Sequence, residues 1–326
     1  NTMVVTAQQV KELRDQTGAG LMDCKKALAE SNGDMQGAVD YLRKKGAKVA
    51  ELRSGRDANE GAVIALTSED GKRGVIVHLS CETDFVAKNE EFVKFATDIT
   101  QLALNNNSAS KEAVEALKMD SVTVADKIIE KVGSIGENIS ISNYAIMSGD
   151  HIASYIHAGN KIGVLVSYKN DAEATAFFKG ISMHIAAMKP KILSYKEFSS
   201  DFIEKETEAF KSQITIENEE RARLGKHLKN VPQYVSMVQL TPAILAEVEA
   251  GIKAELAAEG KPEKIWHNIV PGKLERFIAD NTLLDQEYCL LDQFFALDPD
   301  KTVAVAINAF SPNASIVEFK RIELGD

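Results

Sequence analysis

The chain has 326 residues and a mass of 35.6 kDa, with 44% hydrophobic and 26% charged side chains; this suits a soluble globular protein of two or three domains and excludes disorder along its whole length. Its 48 acidic residues outnumber 38 basic ones, for a net charge of -10, so no polybasic footprint marks a nucleic-acid or anionic membrane surface, and a protein or small-molecule partner is expected instead. The three cysteines form no C-x-x-C pair, no apolar run approaches the roughly 18 to 20 residues of a membrane helix, and the start is not that of a signal peptide, which together predict a reducing, cytoplasmic setting.

Asn1 and Thr2 precede Met3 and are set aside from fold reasoning. The first fifty residues predict three short helices. Thr6 with Gln9 three residues on suits a capping box, and Val10 and Leu13 supply an apolar side. Thr17-Gly18-Ala19-Gly20 breaks that helix, Leu21, Cys24, Ala27 and Leu28 mark a second, and Asp34 caps a third that is expected to stop at Gly46. Residues 1–56 hold ten Lys and Arg against seven Asp and Glu, or +3, leaving -13 on the rest. With few apolar residues between Val49 and Glu60, a linker is expected there, and with it a mobile basic head on an acidic body.

Beyond residue 57 the period becomes alternating. Val63 and Ala65 with Val75, Val77 and Leu79 flank Glu69-Asp70-Gly71 as a hairpin, and Phe92, Phe95, Ile99 and Leu102 line a helix from about Asn89 to Leu104. Two shorter helices follow within 111–134, then an extended stretch from Asn138 to Met147. The order recurs at an offset of about 85 to 88 residues: a hairpin around Gly159-Asn160-Lys161, a helix from about Ala172 to Met188, and a late closing strand from Ile316 to Leu324. The pattern predicts a duplicated α+β unit with small antiparallel sheets. Interrupting the second copy, residues 195–280 are rich in helix formers, and two amphipathic arms joined across Pro232 to Pro242 predict an antiparallel helical hairpin used for association.

Catalytic patterns are lacking. The six histidines show no ligand spacing, and Gly133-Ser134-Ile135-Gly136 lacks the lysine and hydroxyl of a P-loop, so it predicts a helix end. An acid–base pair of Asp84 with His78 would have no convergent polar set around it, and the expectation is a non-enzyme without cofactor or metal. The segment from Cys81 to Lys88 stands out at a strand-to-helix junction. Two readings compete there: Thr83 or Asp84 as an N-cap with Phe85 in the core, or a rigidly mounted loop offering a carboxylate and a ring to another protein.

The run Leu13-Arg14-Asp15-Gln16-Thr17-Gly18-Ala19-Gly20-Leu21-Met22-Asp23-Cys24-Lys25-Lys26-Ala27-Leu28 resembles the first signature of bacterial translation elongation factor Ts, and Thr83-Asp84-Phe85-Val86-Ala87-Lys88 resembles its second. The resemblance continues through residues 131–139, 154–157, 161–165 and 183–190, covering nearly all the chain outside the insertion. It implies a guanine-nucleotide exchange factor for elongation factor Tu, acting on the GDP-bound and nucleotide-free forms. The implied parts are a ubiquitin-associated-like three-helix domain with linker (1–56), a core in two parts (57–148, and 149–194 with 281–326) and a coiled-coil dimerisation hairpin (195–280).

By the same resemblance, the Thr83–Val86 loop enters the partner's nucleotide domain and disturbs its bound magnesium ion, with Asp84 and Phe85 as the intruding residues. Arg14, Leu21 and Met22 match head positions that meet a partner helix, and His157 matches a core position near another partner domain. His78 and Ser80 depart from the family's acidic residue and asparagine before the second signature, a segment around 221–250 lengthens the insertion, and a carboxy-terminal helical module of some members has no counterpart before Asp326. The alternative is a ubiquitin-like or other protein-binding adaptor using the three-helix head.

Overall fold

Capping chemistry sets the ends of the first helices in the computed structural model, which describes residues 4–326; Asn1, Thr2 and Met3 lie outside it. Helix α1 (Ala7–Thr17) opens on the Thr6/Gln9 capping box and closes at Gly18, whose φ of 72° is the left-handed conformation a glycine tolerates. Helix α2 (Leu21–Glu30) follows, then α3 (Met35–Arg53), where the Asp34 carboxylate accepts from the Gly37 amide. Val10, Leu13, Cys24, Ala27, Leu28 and Ala38 close a small core among the three.

Helix α3 overturns the expectation of a stop at Gly46 followed by a linker. It runs on to Arg53, and Val49 and Ala50 in its last turns pack on the main core. The head is therefore docked on the body. It sits against α7 (Val124–Ile135), the most extensive contact between two helices among the described residues.

The body repeats one topology. Strands β1 (Glu60–Thr67) and β2 (Arg73–Cys81) form a hairpin, the short α4 (Asp84–Lys88) and long α5 (Glu90–Asn105) follow, and after α6 (Lys111–Glu115), the tiny β3 (Lys118–Met119) and β4 (Val122–Thr123) hairpin and α7, strand β5 (Ser140–Ser148) adds to β2. In the second copy β6 (His151–Ile156) and β7 (Ile162–Lys169) form the hairpin, α8 (Thr175–Met188) follows, and β10 (Ser315–Glu323) adds to β7. Both sheets thus have the hairpin's second strand at the centre, in orders β1-β2-β5 and β10-β7-β6.

Alternation along each strand divides the apolar residues between two cores. Ala62, Ile64, Val77 and Leu79 face helix α5 and α7, whereas Val63, Ala65 and Ile76 meet Ile152, Leu165 and Ile322 of the second sheet. Glycines at matching places let the sheets approach: a Cβ on Gly74 would lie 2.8 Å from Leu165 Cδ2, and one on Gly163 would lie 2.9 Å from Val63 Cγ1.

These elements make one unit, up to Ala186 with Asn313–Asp326; Ala187–Pro312 makes another. In the second, α9 (Ser200–Arg223) is followed by a segment that doubles back along it. Asn218 pairs twice with the Lys229 backbone at 2.7 and 2.8 Å, and Val235 is buried with Ile203 and Leu284. The close helical pair is α10 (Pro242–Ala258) with α11 (Trp266–Asp280), joined near Gly260, through Val248, Ile252 and Leu256 against Trp266, Ile269 and Val270. The pairing of α9 with α10 across Pro232 to Pro242 is thereby corrected: α9 spends its apolar face on the returning segment. Helix α12 (Leu283–Tyr288), the β8 (Phe294–Phe295) and β9 (Asp298–Thr302) hairpin and α13 (Val303–Phe310) complete this unit.

Candidate partner-binding site

Strand β2 hands over to α4 through Glu82 and Thr83, and this junction is pinned by a carboxylate from the far side of the repeat. Glu137 Oε1 accepts from the Glu82 and Thr83 amides at 3.0 Å each, and Thr83 Oγ1 donates to Glu137 Oε2 at 2.7 Å. A reciprocal bond runs back, the Asn138 amide donating to Glu82 Oε1 at 2.8 Å. Arg56 adds a third strut: its guanidinium lies 3.6 Å from Glu82, and its carbonyl accepts from Asn138 Nδ2 at 2.9 Å. Charge-assisted bonds of this kind hold a loop base in one geometry.

Above that base, the cap of the first reading is present and its core ring is not. Thr83 is an N-cap, its hydroxyl accepting from the Val86 amide at 3.3 Å. Phe85 is not a core residue; it is 84% exposed. Val86 tucks partly into the main core, and Asp84 stays half-exposed in an ion pair with Lys88 at 3.2 Å. The loop thus presents an apolar ring and a carboxylate on a rigid mount. Cys81 beneath it is buried, and burial, followed by the charges of Glu137 and Glu60, pushes its thiol up to about 12; it is an inert thiol, not a nucleophile.

Phe85 and Val86 border a groove of about 330 Å³ with Phe92, Phe95 and Ile135. Lys131 crosses its wall, the ammonium 5.4 Å from the Phe95 ring centroid. Gly18 of the head is also part of its lining, so head and core both border the groove. Arg14 borders a polar groove alongside, with Glu91, Lys94 and Asp98. Leu21 and Met22 open α2 with exposed side chains. The loop and the Arg14 turn therefore share one side of the molecule's first unit, whereas His157 lies in the turn after β6, exposed and hydrogen-bonded through Nδ1 to the Tyr155 hydroxyl at 3.1 Å, and borders neither groove.

The elongation factor TS family matches residues 82–231 and 227–326 of the chain. Elongation factor Ts of Rhodopirellula baltica is 56% identical over 324 residues, covering 98% of this chain and 99% of the relative. That of Flavobacterium johnsoniae is 48% identical over 322 residues (98% and 99%), and that of Aliarcobacter butzleri 43% identical over 326 residues (99% and 94%). The chain belongs to the elongation factor Ts family.

The stretch Thr83 to Lys88, which resembles a signature of the family, is displayed by a support that its own letters do not contain. Glu137 and Asn138 lie more than fifty residues downstream, and Arg56 sits in what reads as a linker. The one local hint was that Lys131 to Ile139 belongs to the stretch resembling elongation factor Ts. His78 lies buried in β2 with Nδ1 2.8 Å from Ser142 Oγ, and burial holds its pKa below the ordinary histidine value. Its burial favours the neutral form and makes it a packing residue of the strand.

Among the described residues no helix is long and apolar enough to cross a membrane, and no group of three or more His, Cys, Asp or Glu could hold a metal ion.

Proposed function

We propose that the chain is a guanine-nucleotide exchange factor that binds GDP-bound elongation factor Tu in the cytoplasm and promotes GDP release by inserting the Thr83–Val86 loop beside the partner's magnesium ion. The observation that carries this reading is Phe85, a large aromatic held 84% exposed on a loop whose base is pinned by Glu137. A solvent-facing ring on a rigid mount is what an interface anchor requires, and burying it contributes about 1.5 to 3 kcal/mol.

No acid–base chemistry is needed. Magnesium neutralises phosphate charge, so a carboxylate such as Asp84 brought near it weakens the electrostatics that retain the nucleotide. Nanomolar affinity corresponds to about 12 kcal/mol, which one ring cannot offset; Arg14, Leu21 and Met22 on the head and His157 on the second repeat supply further contact. Linkage makes the coupling reciprocal, so that incoming nucleotide displaces the factor as strongly as the factor displaces nucleotide.

The test is release of a fluorescent GDP analogue from elongation factor Tu, with and without the chain. Acceleration at substoichiometric amounts is expected; an unchanged rate refutes the reading. Exposed Leu21 and Met22 also fit a protein-binding adaptor, and capture of ubiquitin in place of elongation factor Tu would favour that alternative. We further propose that the helical insertion, residues 195–280, mediates a homodimer.

A further inference from the structure

Two helix-interior glycines meet where the head docks. A Cβ on Gly46 of α3 would lie 2.7 Å from the Ile129 carbonyl oxygen, and one on Gly133 of α7 would lie 2.9 Å from the Gly46 Cα. Both obstacles are backbone, which no rotamer change relieves. Each glycine costs its helix about 1 kcal/mol relative to alanine, and neither has the positive φ of a turn. Close approach of the two helices is the remaining physical reason for both.

Charge reinforces the crossing. Glu130, its side chain only 7% exposed, lies 3.6 Å from Arg43 of α3 and 3.5 Å from Lys127 of its own helix. Lys45 of α3 also pairs with Asp23 on α2, tying the crossing helix to the turn that carries Leu21 and Met22.

Both helices then lead directly to the loop. Helix α7 ends at Ile135, turns at Gly136 with φ 81°, and delivers Glu137, the carboxylate that pins Glu82 and Thr83. Helix α3 ends at Arg53 and delivers Arg56 to Glu82 and Asn138. Gly133 and Glu137 are thus four residues apart on one support. The docked head contributes Gly18 to the lining of the groove that Phe85 borders.

We propose that the Gly46–Gly133 crossing is a positioning element that holds Arg14, Leu21 and Met22 in fixed register with the Thr83–Val86 loop, making head and loop one bipartite partner surface. This rests on the exchange-factor reading. Two contact patches on one rigid body engage a partner with a high effective concentration of the second patch once the first has bound, an advantage lost when a loosened joint makes their separation variable.

The test compares Gly46→Ala, Gly133→Ala and Arg43→Gln with the unaltered chain. GDP release is measured against factor concentration, and the head-to-core distance is measured between spin labels on Lys26→Cys and Glu112→Cys; the three native cysteines are buried. Each glycine variant is expected to broaden the distance distribution and raise the half-saturating concentration about tenfold, with the plateau release rate within twofold because Glu137 still holds the loop. Arg43→Gln, which leaves the backbone contact intact, is expected to shift half-saturation about threefold and serves if the glycine variants do not fold. A broadened distance with unchanged half-saturation, an unchanged distance in a folded glycine variant, or Arg43→Gln without effect when it alone folds overturns the proposal. If the unaltered chain does not accelerate release, the exchange-factor reading falls, while the spin-label distances still decide whether the crossing holds the head.

Discussion

Replacing Glu137 by alanine removes one carboxylate and three hydrogen bonds: two from the Glu82 and Thr83 amides at 3.0 Å and one from Thr83 Oγ1 at 2.7 Å. Bonds to an ionised acceptor contribute about 1.5 to 3 kcal/mol each, but Glu82 and Thr83 are only half-buried, so water takes up the freed donors and the net loss is about 2 to 4 kcal/mol. The Glu82–Asn138 bond at 2.8 Å survives and limits the disorder. If binding requires the ordered loop, apparent affinity falls with the ordered fraction. At about 1.4 kcal/mol per factor of ten, the second-order rate of GDP release should drop by about thirtyfold to several hundredfold. Glu137→Gln, which keeps an acceptor oxygen but loses the charge, should cost about threefold to tenfold. Stopped-flow release of fluorescent GDP measures both, with circular dichroism to check the fold. A Glu137→Ala rate within twofold of the unaltered chain would refute the pinned-loop argument.

Phe85→Ala should lower the plateau rate of release without moving the melting temperature, since an exposed ring contributes little to folding; a large loss of stability would remove Phe85 from the interface role. Met22→Ala should weaken partner binding by about 1 kcal/mol or more, read by titration calorimetry, and unchanged affinity would take the head out of the contact surface. Asp292 in the helical unit is pushed up to about 6 by burial and then by the neighbouring Asp285, and Asp292 Oδ2 and Asp285 Oδ1 have no hydrogen-bond partner among the described residues. A folded-state pKa above the unfolded value of 3.8 favours the protonated fold, so stability is lost as pH rises from about 4 through about 6. Asp292→Asn should therefore melt higher than the unaltered chain at pH 7.5 and lose that advantage at pH 4.5; a lower melting temperature at pH 7.5 contradicts this. Sedimentation at micromolar concentration should show a dimer, and a monomer would overturn association through the helical insertion.

Much of this was legible locally. Caps at Thr6, Asp34 and Thr83 are read within three residues because the bond they make spans three residues. The two hairpins were legible because alternation fixes which side chains share a face, and their repetition pointed to two sheets of one topology. Gly46 misled because glycine has two physical uses: ending a helix and admitting a neighbouring backbone look alike in one dimension. The arms of the helical insertion were mispaired because several amphipathic stripes can satisfy one another, and only the return of residues 224–241 along α9 selects α10 with α11.

The division between the two levels is sharpest at the loop. By itself, the sequence determined the element order, the repeated unit, the family signatures and the unusual aromatic at a strand-to-helix junction, because each is written in neighbours or in letters. It could not determine whether Phe85 faces core or water, since that depends on whether another element covers the ring. Nor could it join Glu137 to Thr83, or Gly46 to Gly133, because those contacts connect residues far apart in the chain. Tertiary packing decided both, and with them whether head and loop form separate surfaces or one.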